Sequence, residues 1–388
     1  MGVARRLALG RLISLSGGSA AYIALVAAIY ARTHSAVWIS AAIFASVVAS
    51  VASAPLAGWI GDRFDRRRVL IGADLAAAAV SLAMALTGEP WALVVLLGLS
   101  SVAQSPFEPA STAALPNLVE PKDVPRANAL VAATSSAAYL AGPLLGGLIL
   151  GAGASPSTLF AVDAATFVVS ALLVATIRRP FGRGATDEHP GMLAGFGVIV
   201  REPRLRVPVF AGMVSLVGVG IVEVASYPLS LDLHGGARGY GAMTALLGGG
   251  GLLGTVLAGR VLRAGSSRIL VWSFTIGAAG LALAGVAPVL AIGLGGMALA
   301  GAGRGLGDVA ATTLIQEQTH NAVRSRVFAA QDGAAHAAFS VAALSGGLLV
   351  QLASARGAFA VAAAFGIAAA VIAATRPDGL RTSTPDRT

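Results

Sequence analysis

Long apolar segments follow one another along the whole chain, separated at short intervals by glycine, proline and clusters of arginine. Each segment has the length of about 20 residues that an α-helix needs to cross the hydrocarbon core of a bilayer. We therefore expect a membrane-spanning helix in each of twelve segments. Their approximate bounds are 7–31, 36–61, 67–87, 91–114, 127–151, 157–177, 207–231, 238–262, 268–287, 289–314, 327–352 and 357–375.

The composition agrees with a membrane protein. Of the 388 residues, 56% are hydrophobic and 12% are charged, whereas soluble domains carry about 25% charged residues. Arg5 and Arg6 precede the first apolar run as they would in a signal peptide, but the run continues to about Ala31 without a clear cleavage site. We interpret it as the first transmembrane helix of a multi-pass protein of the bacterial inner membrane.

The basic residues predict the orientation. With both termini in the cytoplasm, 23 of the 27 lysine and arginine residues fall on the cytoplasmic side, as the positive-inside rule requires. The basic residues lie between apolar segments instead of sharing a face of a soluble domain, so nucleic acid is not an expected partner.

The longest polar break divides the chain into two halves. We expect an N-terminal six-helix bundle at 1–178, a cytoplasmic linker with a short helix at 179–206, a C-terminal six-helix bundle at 207–376 and a cytoplasmic tail at 377–388. The fold class is therefore an all-α membrane protein of two pseudo-symmetric bundles.

The two halves resemble each other in sequence. A shift of 200 residues places Arg126 on Arg326 and Glu108 on Asp308 without gaps, and it aligns the Leu- and Gly-rich segment that starts at Leu144 with its later copy. A parallel repeat of two six-helix halves is typical of secondary transporters whose substrate site lies between the halves.

The loop after the second predicted span carries the most specific motif, Gly-Trp-Ile-Gly-Asp-Arg-Phe-Asp-Arg-Arg-Arg, at 58–68. It resembles the signature loop of major facilitator transporters, and Asp65 in place of the usual glycine is common in the branch of macrolide and siderophore exporters. The matching residues are Gly58, Gly61, Asp62, Arg63, Arg66 and Arg67. The alternative interpretation is an ordinary positive-inside loop.

The resemblance implies roles for this loop. The glycines would allow a neighbouring helix to approach closely. Asp62 would face the N-terminus of the eleventh span, where the helix dipole favours an anion. The arginines would pair with acidic groups such as Glu120 or Asp123, and the whole cluster would lock the outward-facing state.

The fifth predicted span contains a second motif, formed by Gly142, Pro143, Gly146 and Gly147. It resembles the core of the fifth-helix motif associated with antiporters. The proline would kink the helix and the glycines would permit close helix contact. If the motif serves only such packing, the fold is unchanged but the argument for export is lost.

Charged side chains within the spans are the candidates for proton coupling or substrate binding, because each costs about 2.5–3.5 kcal/mol at the bilayer centre. Residues four apart on a helix can pair, and this spacing relates Arg304 to Asp308 and Asp332 to His336. A structural role is the alternative for the Arg304–Asp308 pair and for Asp163. Asp74 is expected to form a structural ion pair near the basic loop, and His336 alone is typical of a hydrogen-bonded interior residue. The candidates are Glu223, Glu108, Asp308, Arg304, Asp163, His336 and Asp332.

Two of these carboxylates are the leading candidates for the proton carrier. Neither Glu223 nor Glu108 has an adjacent basic residue in sequence. A carboxylate without such a partner can be neutral in one state and ionised in another, as proton antiport requires.

The resemblance implies a proton-driven exporter of small amphipathic molecules, such as drugs or siderophores, that works by alternating access. Lipid or lysolipid transport by the same fold and a transport-inactive receptor are the alternatives. We find no nucleophile–base set, no metal-ligand cluster and no nucleotide-phosphate loop, so we expect no enzymatic activity, metal or cofactor. The expected partners are the substrate, protons and the lipid bilayer, and the expected state is a monomer.

Overall fold

The computed structural model describes residues 2–178, 181, 192–261, 265–319 and 321–375, and the regular structure within these ranges is entirely helical. A short 3-10 turn at Pro121–Asp123 precedes α6 in this order. The α-helices are α1 (Gly2–Thr33), α2 (Ala36–Arg63), α3 (Arg66–Leu86), α4 (Pro90–Gln104), α5 (Phe107–Leu118), α6 (Val124–Gly151), α7 (Pro156–Ala175), α8 (Met192–Arg201), α9 (Pro203–Asp232), α10 (Gly236–Val261), α11 (Ser266–Gly285), α12 (Leu290–Gln318) and α13 (Asn321–Ala374).

Ten helical stretches in the described part of the chain are long and apolar enough to cross a bilayer. The last of them, Ala330–Ala374, has 45 residues, which is about twice the length that one crossing requires. The glycine-rich α12, which carries Arg304 and Asp308, is not among the ten. The chain is an integral membrane protein, and the count of twelve spans stays a prediction.

The fourth predicted span, 91–114, is not one continuous helix. It consists of α4 and α5, which are separated at Ser105 and Pro106. Proline has no backbone N–H and cannot complete the hydrogen-bond ladder of a helix interior. The Ser105 N–H bonds instead to the Val102 carbonyl at 3.3 Å, which tightens the last turn of α4. The fourth predicted span therefore contains a helix break, although Pro90–Leu118 as a whole is still one stretch long and apolar enough to cross a bilayer.

A second interruption lies inside α13, at Ser354, where φ is 67° and ψ is 170°. Few residues other than glycine adopt this conformation. The Ser354 Oγ accepts a hydrogen bond from the Gly357 N–H at 3.3 Å, so it caps the helical segment that follows. The break falls between the last two predicted spans, 327–352 and 357–375.

The predicted linker contains helical structure in its described portion. The helix α8 occupies Met192–Arg201, as expected, and α9 already begins at Pro203, four residues before the predicted start of the second half. Proline is well suited to the first turn of a helix, because the N–H that it lacks has no partner there.

The helices form two bundles that follow the sequence repeat. In the first, α1 packs on α6 and α7, α3 packs on α7, and α2 packs on α4. In the second, α9 packs on α13, and α12 packs on α10 and α11. Two helix pairs make the main contacts between the bundles, α6 with α10 and α2 with α13. We call the end of the molecule at residues 63–68 the basic end, and the end at residues 33–36 the opposite end.

The contact between α2 and α13 lies at the opposite end. The Gly347 N–H of α13 donates to the Ser40 Oγ of α2 at 2.8 Å. The Gln351 side-chain amide donates to the Ser35 Oγ, also at 2.8 Å. These bonds attach the second half to the first where α2 begins.

The contact between α6 and α10 depends on two facing glycines. A Cβ added at Gly147 would lie 3.0 Å from the Gly241 Cα, and a Cβ added at Gly241 would lie 2.9 Å from the Gly147 Cα and overlap the Pro143 carbonyl. Only residues without a side chain permit the two backbones to approach this closely.

The apolar clusters at the two ends differ in whether they contain residues of both halves or of one half. The largest cluster combines both halves, with Ile29 and Ile39 from the first and Val224 and Tyr240 from the second. At the basic end, each cluster within the described ranges belongs to one half, one to the first and two to the second. The halves are therefore sealed together at the opposite end, and each has its own core at the basic end.

We predict that Gly241→Ala weakens the seal at the opposite end, because the added methyl group overlaps α6. Overpacking costs roughly 1–3 kcal/mol, so the rate at which a water-soluble maleimide labels a cysteine placed at Ala36 should rise roughly tenfold. The chain has no cysteine of its own, so this label has no background.

The matched control is Gly248→Ala, whose Cβ would make an ordinary contact of 3.6 Å with the Tyr139 carbonyl. Equal labelling rates in the two variants would contradict the role of the Gly147–Gly241 contact.

Candidate functional site

Each half contributes an arginine–carboxylate pair. In the first half, Arg11 of α1 forms an ion pair with Glu108 of α5, and its Nε donates to the Ser135 Oγ of α6 at 3.0 Å. The side chain of Arg11 is 10% exposed and that of Glu108 is 62% exposed. The pair lines a recess of about 170 Å³ that also includes Asn128. A buried guanidinium is thus neutralised by a carboxylate that remains accessible.

The second half has the equivalent pair on one helix. The Arg304 Nε lies 3.9 Å from the Asp308 Oδ2, one turn further along α12. Both line a recess of about 280 Å³, together with Asp332 and apolar side chains such as Met213 and Phe274. The predicted Arg304–Asp308 pairing is present, and the recess offers an apolar wall with few charges.

The environment of Glu108 differs from the expectation. The sequence suggested a carboxylate without an adjacent basic partner, but Arg11 binds it from α1. Arg11 lies within α1 and not in a loop. The predicted first span begins at Leu7, so Arg11 falls inside that span. The premise for Glu108 as an unpaired proton carrier was therefore wrong, since the partner is 97 residues away in sequence.

Glu223 lies where the two halves meet. It is partly buried on α9, and its charge interacts with Tyr22 of α1 and with Arg304 of α12. Tyr240 at the start of α10 is also within electrostatic range. The absence of a partner on its own helix is as expected, but residues of three other helices surround the carboxyl. Tyr22 belongs to the first half and Arg304 to the second, so the Glu223 carboxyl interacts with residues of both bundles.

Three tyrosines separate Glu223 from the opposite end. Tyr227, one turn after Glu223 on α9, packs edge-on against Tyr30 of α1 at 5.5 Å between ring centroids and against Tyr240 at 5.4 Å. This cluster joins both halves. The sequence pattern did not reveal this tyrosine cluster, although tyrosine is rare in the chain, which contains only five.

The signature loop makes contacts other than those expected. Arg66 donates to the Ala113 carbonyl at 3.0 Å, and Arg67 donates to the Ala175 carbonyl. Glu120 pairs with Lys122 instead. The expected pairing of these arginines with Glu120 or Asp123 is therefore wrong in this conformation, because the described ion pairs do not include it and both guanidinium groups donate to helix carbonyls.

Other predicted roles of this loop are only partly visible. A Cβ added at Gly58 or Gly61 would meet nothing within 4 Å, so no helix in the described part of the chain packs closely on these glycines. Asp65 caps α3 by accepting from the Arg67 and Arg68 N–H groups. The side chains of Asp62 and of residues 321–326 lie outside the described part of the structure, and so does their expected contact. Arg63 lies over the Trp59 ring at 5.9 Å.

The fifth-span motif brings α6 against two helices. Gly142 faces Ser16 of α1, and Gly146 faces Ala20 of α1, with added Cβ atoms 2.7 and 2.8 Å from the respective carbonyls. Pro143 and Gly147 face α10, as described above. The glycines therefore serve close packing, and a specific role of the motif in export stays a prediction.

The remaining candidates fall into two groups. His336 donates from Nδ1 to the Asp332 backbone carbonyl at 2.7 Å, and both residues are exposed, so they do not form the side-chain pair that their spacing suggested. Asp163 is buried on α7 and accepts from Ser81 at 2.7 Å. Asp74 is fully buried, and no described basic group pairs with it. The expected ion pair of Asp74 is therefore wrong.

No group of three or more His, Asp or Glu side chains with the proximity that a metal ion requires occurs among the residues that the structure describes. The chemistry available at the centre is that of ion pairs, tyrosine hydroxyls and one carboxyl shared between halves. Such groups can exchange protons and bind a charged or polar part of a ligand.

Comparison with known proteins places this geometry among transporters. The model of the Major Facilitator Superfamily matches the chain twice, at residues 7–225 and 209–387. The enterobactin exporter EntS of Citrobacter koseri is 27% identical over 337 residues, covering 83% of this chain and 79% of EntS. The uncharacterized MFS-type transporter YfiS of Bacillus subtilis strain 168 is 26% identical over 312 residues, covering 76% and 74% of the two chains.

Among solved structures, that of the nucleoside transporter NupG superposes with a TM-score of 0.76, at 13% identity, over 96% of this chain and 98% of NupG. This similarity shows the fold. The two matches of one family model, to overlapping halves of the chain, agree with the internal repeat.

We predict that Glu108→Ala lowers the midpoint of thermal unfolding of the detergent-purified protein, because it leaves the buried Arg11 without its carboxylate. Loss of one partner of such a pair costs roughly 1–3 kcal/mol, and the exposure of Glu108 places the cost at the low end. Glu108→Gln keeps an acceptor oxygen and should lower the midpoint less.

The matched control is Glu89→Ala in the exposed connection between α3 and α4. The same midpoint for Glu108→Ala and Glu89→Ala would show that the Arg11 pair contributes nothing to stability.

Proposed function

The chain belongs to the Major Facilitator Superfamily, and on that basis we propose that it is a proton-coupled exporter of small amphipathic molecules that works by alternating access. It is a membrane transporter of the exporter branch, as the similarity to EntS indicates. The observation that carries the proposal of proton coupling is the position of Glu223 between Tyr22 of one half and Arg304 of the other.

Two carboxylates are close enough to Arg304 to interact with its guanidinium group. It pairs with Asp308 in the recess and also interacts with Glu223. When Glu223 is ionised, it attracts Arg304 towards the junction of the halves. When Glu223 binds a proton, this attraction is lost and Arg304 stays with Asp308. Protonation thereby changes the charge that a substrate meets in the recess, which is how proton binding and substrate binding become coupled.

The same site is placed to control access. Tyr227, one turn from Glu223, belongs to the tyrosine cluster that joins the halves at the opposite end. A change in the charge or hydration of Glu223 would therefore directly affect the packing of Tyr227 within this seal. We propose that the seal opens while the halves close at the basic end, so that the site faces the two sides of the membrane in turn.

The chemistry of the recess supports small amphipathic cargo. Its walls combine apolar residues, including Met213, Leu216 and Phe274, with the ionic groups of Arg304 and Asp308. An apolar pocket with few polar groups binds a molecule that has an extensive apolar surface and a single polar or charged part.

We predict that Glu223→Gln reduces flux driven by a pH gradient in proteoliposomes at least tenfold, since the amide cannot exchange a proton. Exchange of substrate across the membrane without a gradient should persist, because the fold and the recess remain. The probes are a fluorescent dye, a macrolide and a catecholate siderophore, each tested separately.

The matched control is Glu89→Gln, in the exposed connection that follows α3, which should leave flux unchanged. Gradient-driven flux of wild-type level in Glu223→Gln would exclude Glu223 as the proton carrier. If the wild-type protein moves none of the probes, a lipid substrate or a receptor role without transport becomes the better interpretation.

We further propose twelve spans with both termini in the cytoplasm, in an N-terminal bundle at 1–178 and a C-terminal bundle at 207–376 joined by a cytoplasmic linker. The proposal is supported by the distribution of basic residues and by the break at Ser354, which divides the long α13 into two helical segments. We keep a monomer as the proposed functional unit.

We predict that a single cysteine at His234, between α9 and α10, is labelled by a membrane-impermeant maleimide in intact cells. A single cysteine at Thr176, after α7, should be labelled only after the membrane is permeabilised. The reverse pattern would overturn the proposed orientation, and labelling of both sites in intact cells would overturn the span count.

A further inference from the structure

Two aspartates and two serines form reciprocal pairs between α3 and α7. Asp74 and Ser81 are seven residues apart on α3, and Asp163 and Ser170 are seven apart on α7. The Ser81 Oγ donates to the Asp163 Oδ2 at 2.7 Å, while Asp74 lies beside Ser170. Seven residues make about two helical turns, so the antiparallel helices place each aspartate against a serine of the other helix.

These four residues are inaccessible to solvent. Asp74 and Ser170 are 0% exposed, Ser81 is 2% exposed and Asp163 is 4% exposed. Neither oxygen of Asp74 nor the Ser170 Oγ makes a hydrogen bond with good geometry. Asp74 and Ser170 therefore face each other in a closed interface without the hydrogen bond that joins Asp163 to Ser81.

No charged group among the described residues compensates the two carboxyls. The polar neighbours of Asp74 are Ser170 and Gln104, and those of Asp163 are Ser81 and Thr166. Among the packed helices, α4 has no charged residue and α7 has only Asp163. On α1, Arg11 is bound to Glu108, Arg5 and Arg6 lie near the start of the helix and Arg32 lies in its last turn. The arginines of α3 lie in its first turn at the basic end.

An ionised carboxylate in such a place would be a buried, unpaired charge, which is so unfavourable that the group takes up a proton instead. From this geometry we infer that Asp74 and Asp163 form a second proton-binding site, separate from Glu223, in which each carboxyl holds one proton in the present conformation. The serine hydroxyls are then partners that can both donate and accept.

The site lies directly beneath α1. A Cβ added at Gly10 would lie 3.2 Å from the Ser170 Oγ, and one added at Gly17 would lie 2.9 Å from the Asp163 Oδ1. The two glycines are also seven residues apart, so α1 contacts α7 at two levels with the same spacing. The backbone of α1 therefore packs against the α7 member of each aspartate–serine pair, Ser170 at one level and Asp163 at the other.

The other side of α1 carries two residues of the functional site. Arg11 and Tyr22 are eleven residues apart, which is about three turns, so they share one face of the helix. Loss of a proton from Asp74 or Asp163 would create a charge that requires water or a cation, and α1 would have to move away to admit it. Such a movement would displace Arg11 from Glu108 and Tyr22 from Glu223. Asp74 and Asp163 thus act as positioning residues through α1.

Infrared spectroscopy of the purified protein tests proton binding without reference to transport. At neutral pH, Asp74→Asn and Asp163→Asn should each remove one protonated-carboxyl C=O band, and Asp232→Asn at the exposed end of α9 should remove none. Ser81→Ala should shift the Asp163 band without removing it, because the carboxyl loses a hydrogen bond but keeps its proton. Unchanged bands in both aspartate variants would overturn the inference.

A labelling experiment tests the movement of α1. In the parent protein with a cysteine at Ser16, which packs on α6, the maleimide labelling rate is divided at each pH by that of a free thiol, because the thiolate is the reactive form. This relative rate should rise severalfold as the pH is raised. In the Asp74→Asn, Asp163→Asn double variant the relative rate should be low and independent of pH, since the amides stay neutral. A pH-independent relative rate in the parent would overturn the positioning role.

The consequence for transport rests on the proposed function, and the two experiments remain distinguishable. Glu223→Gln should leave both infrared bands in place. If no probe is transported but both bands disappear in the aspartate variants, the proton site stands and the proposed function fails. If gradient-driven flux is normal but the bands are absent from the wild-type protein, the proton site fails and the proposed function stands.

Discussion

A charge inside a bilayer has to be paired, hydrated or neutralised, and this constraint governs every polar group in the interior of this protein. Arg11 is buried because Glu108 and Ser135 bind it from two other helices. Arg304 forms an ion pair with Asp308 on its own helix and interacts electrostatically with Glu223 of α9. The ionic groups are therefore concentrated in the recesses between helices, while the surface that faces lipid is apolar.

The same constraint underlies the proposed sensitivity of the junction of the halves to protons. Glu223 lies among Tyr22, Tyr240 and Arg304, which come from helices of both bundles. A proton added to one carboxyl alters interactions on both sides of the junction at once. The seal of Tyr30, Tyr227 and Tyr240 begins one turn away. Charge state and access are thus linked through neighbouring residues, with no long pathway between them.

Close backbone contact provides the mechanical counterpart of this electrostatic design. Gly147 and Gly241 bring α6 and α10 together, and Gly10 and Gly17 bring α1 onto α7. Surfaces without side chains have few interlocking groups, so helices can separate or shift along them at small cost. Such surfaces occur at the seal between the halves and beneath the helix that carries Arg11 and Tyr22, where the proposed alternating access would require movement.

Much of the fold follows from local pattern. The apolar segments predict the helices because each must satisfy its backbone groups within itself in lipid, and the gap between 352 and 357 anticipated the break at Ser354. The helix break at Pro106 was not recognised, although proline chemistry provides the signal. The repeat and the signature loop led to the family, because both are visible as ungapped patterns in the chain.

The partners of the charged residues were decided only by the tertiary structure. Sequence spacing reveals a pair on one helix, such as Arg304 and Asp308, because four residues make about one turn. It cannot reveal Arg11 with Glu108, Glu223 with Tyr22, or Asp74 with Ser170, since these residues are brought together by helices that are distant along the chain. The sequence by itself determined which residues are charged within an apolar helix. Packing determined which of them are paired, which are shared between halves and which are buried without a counter-charge.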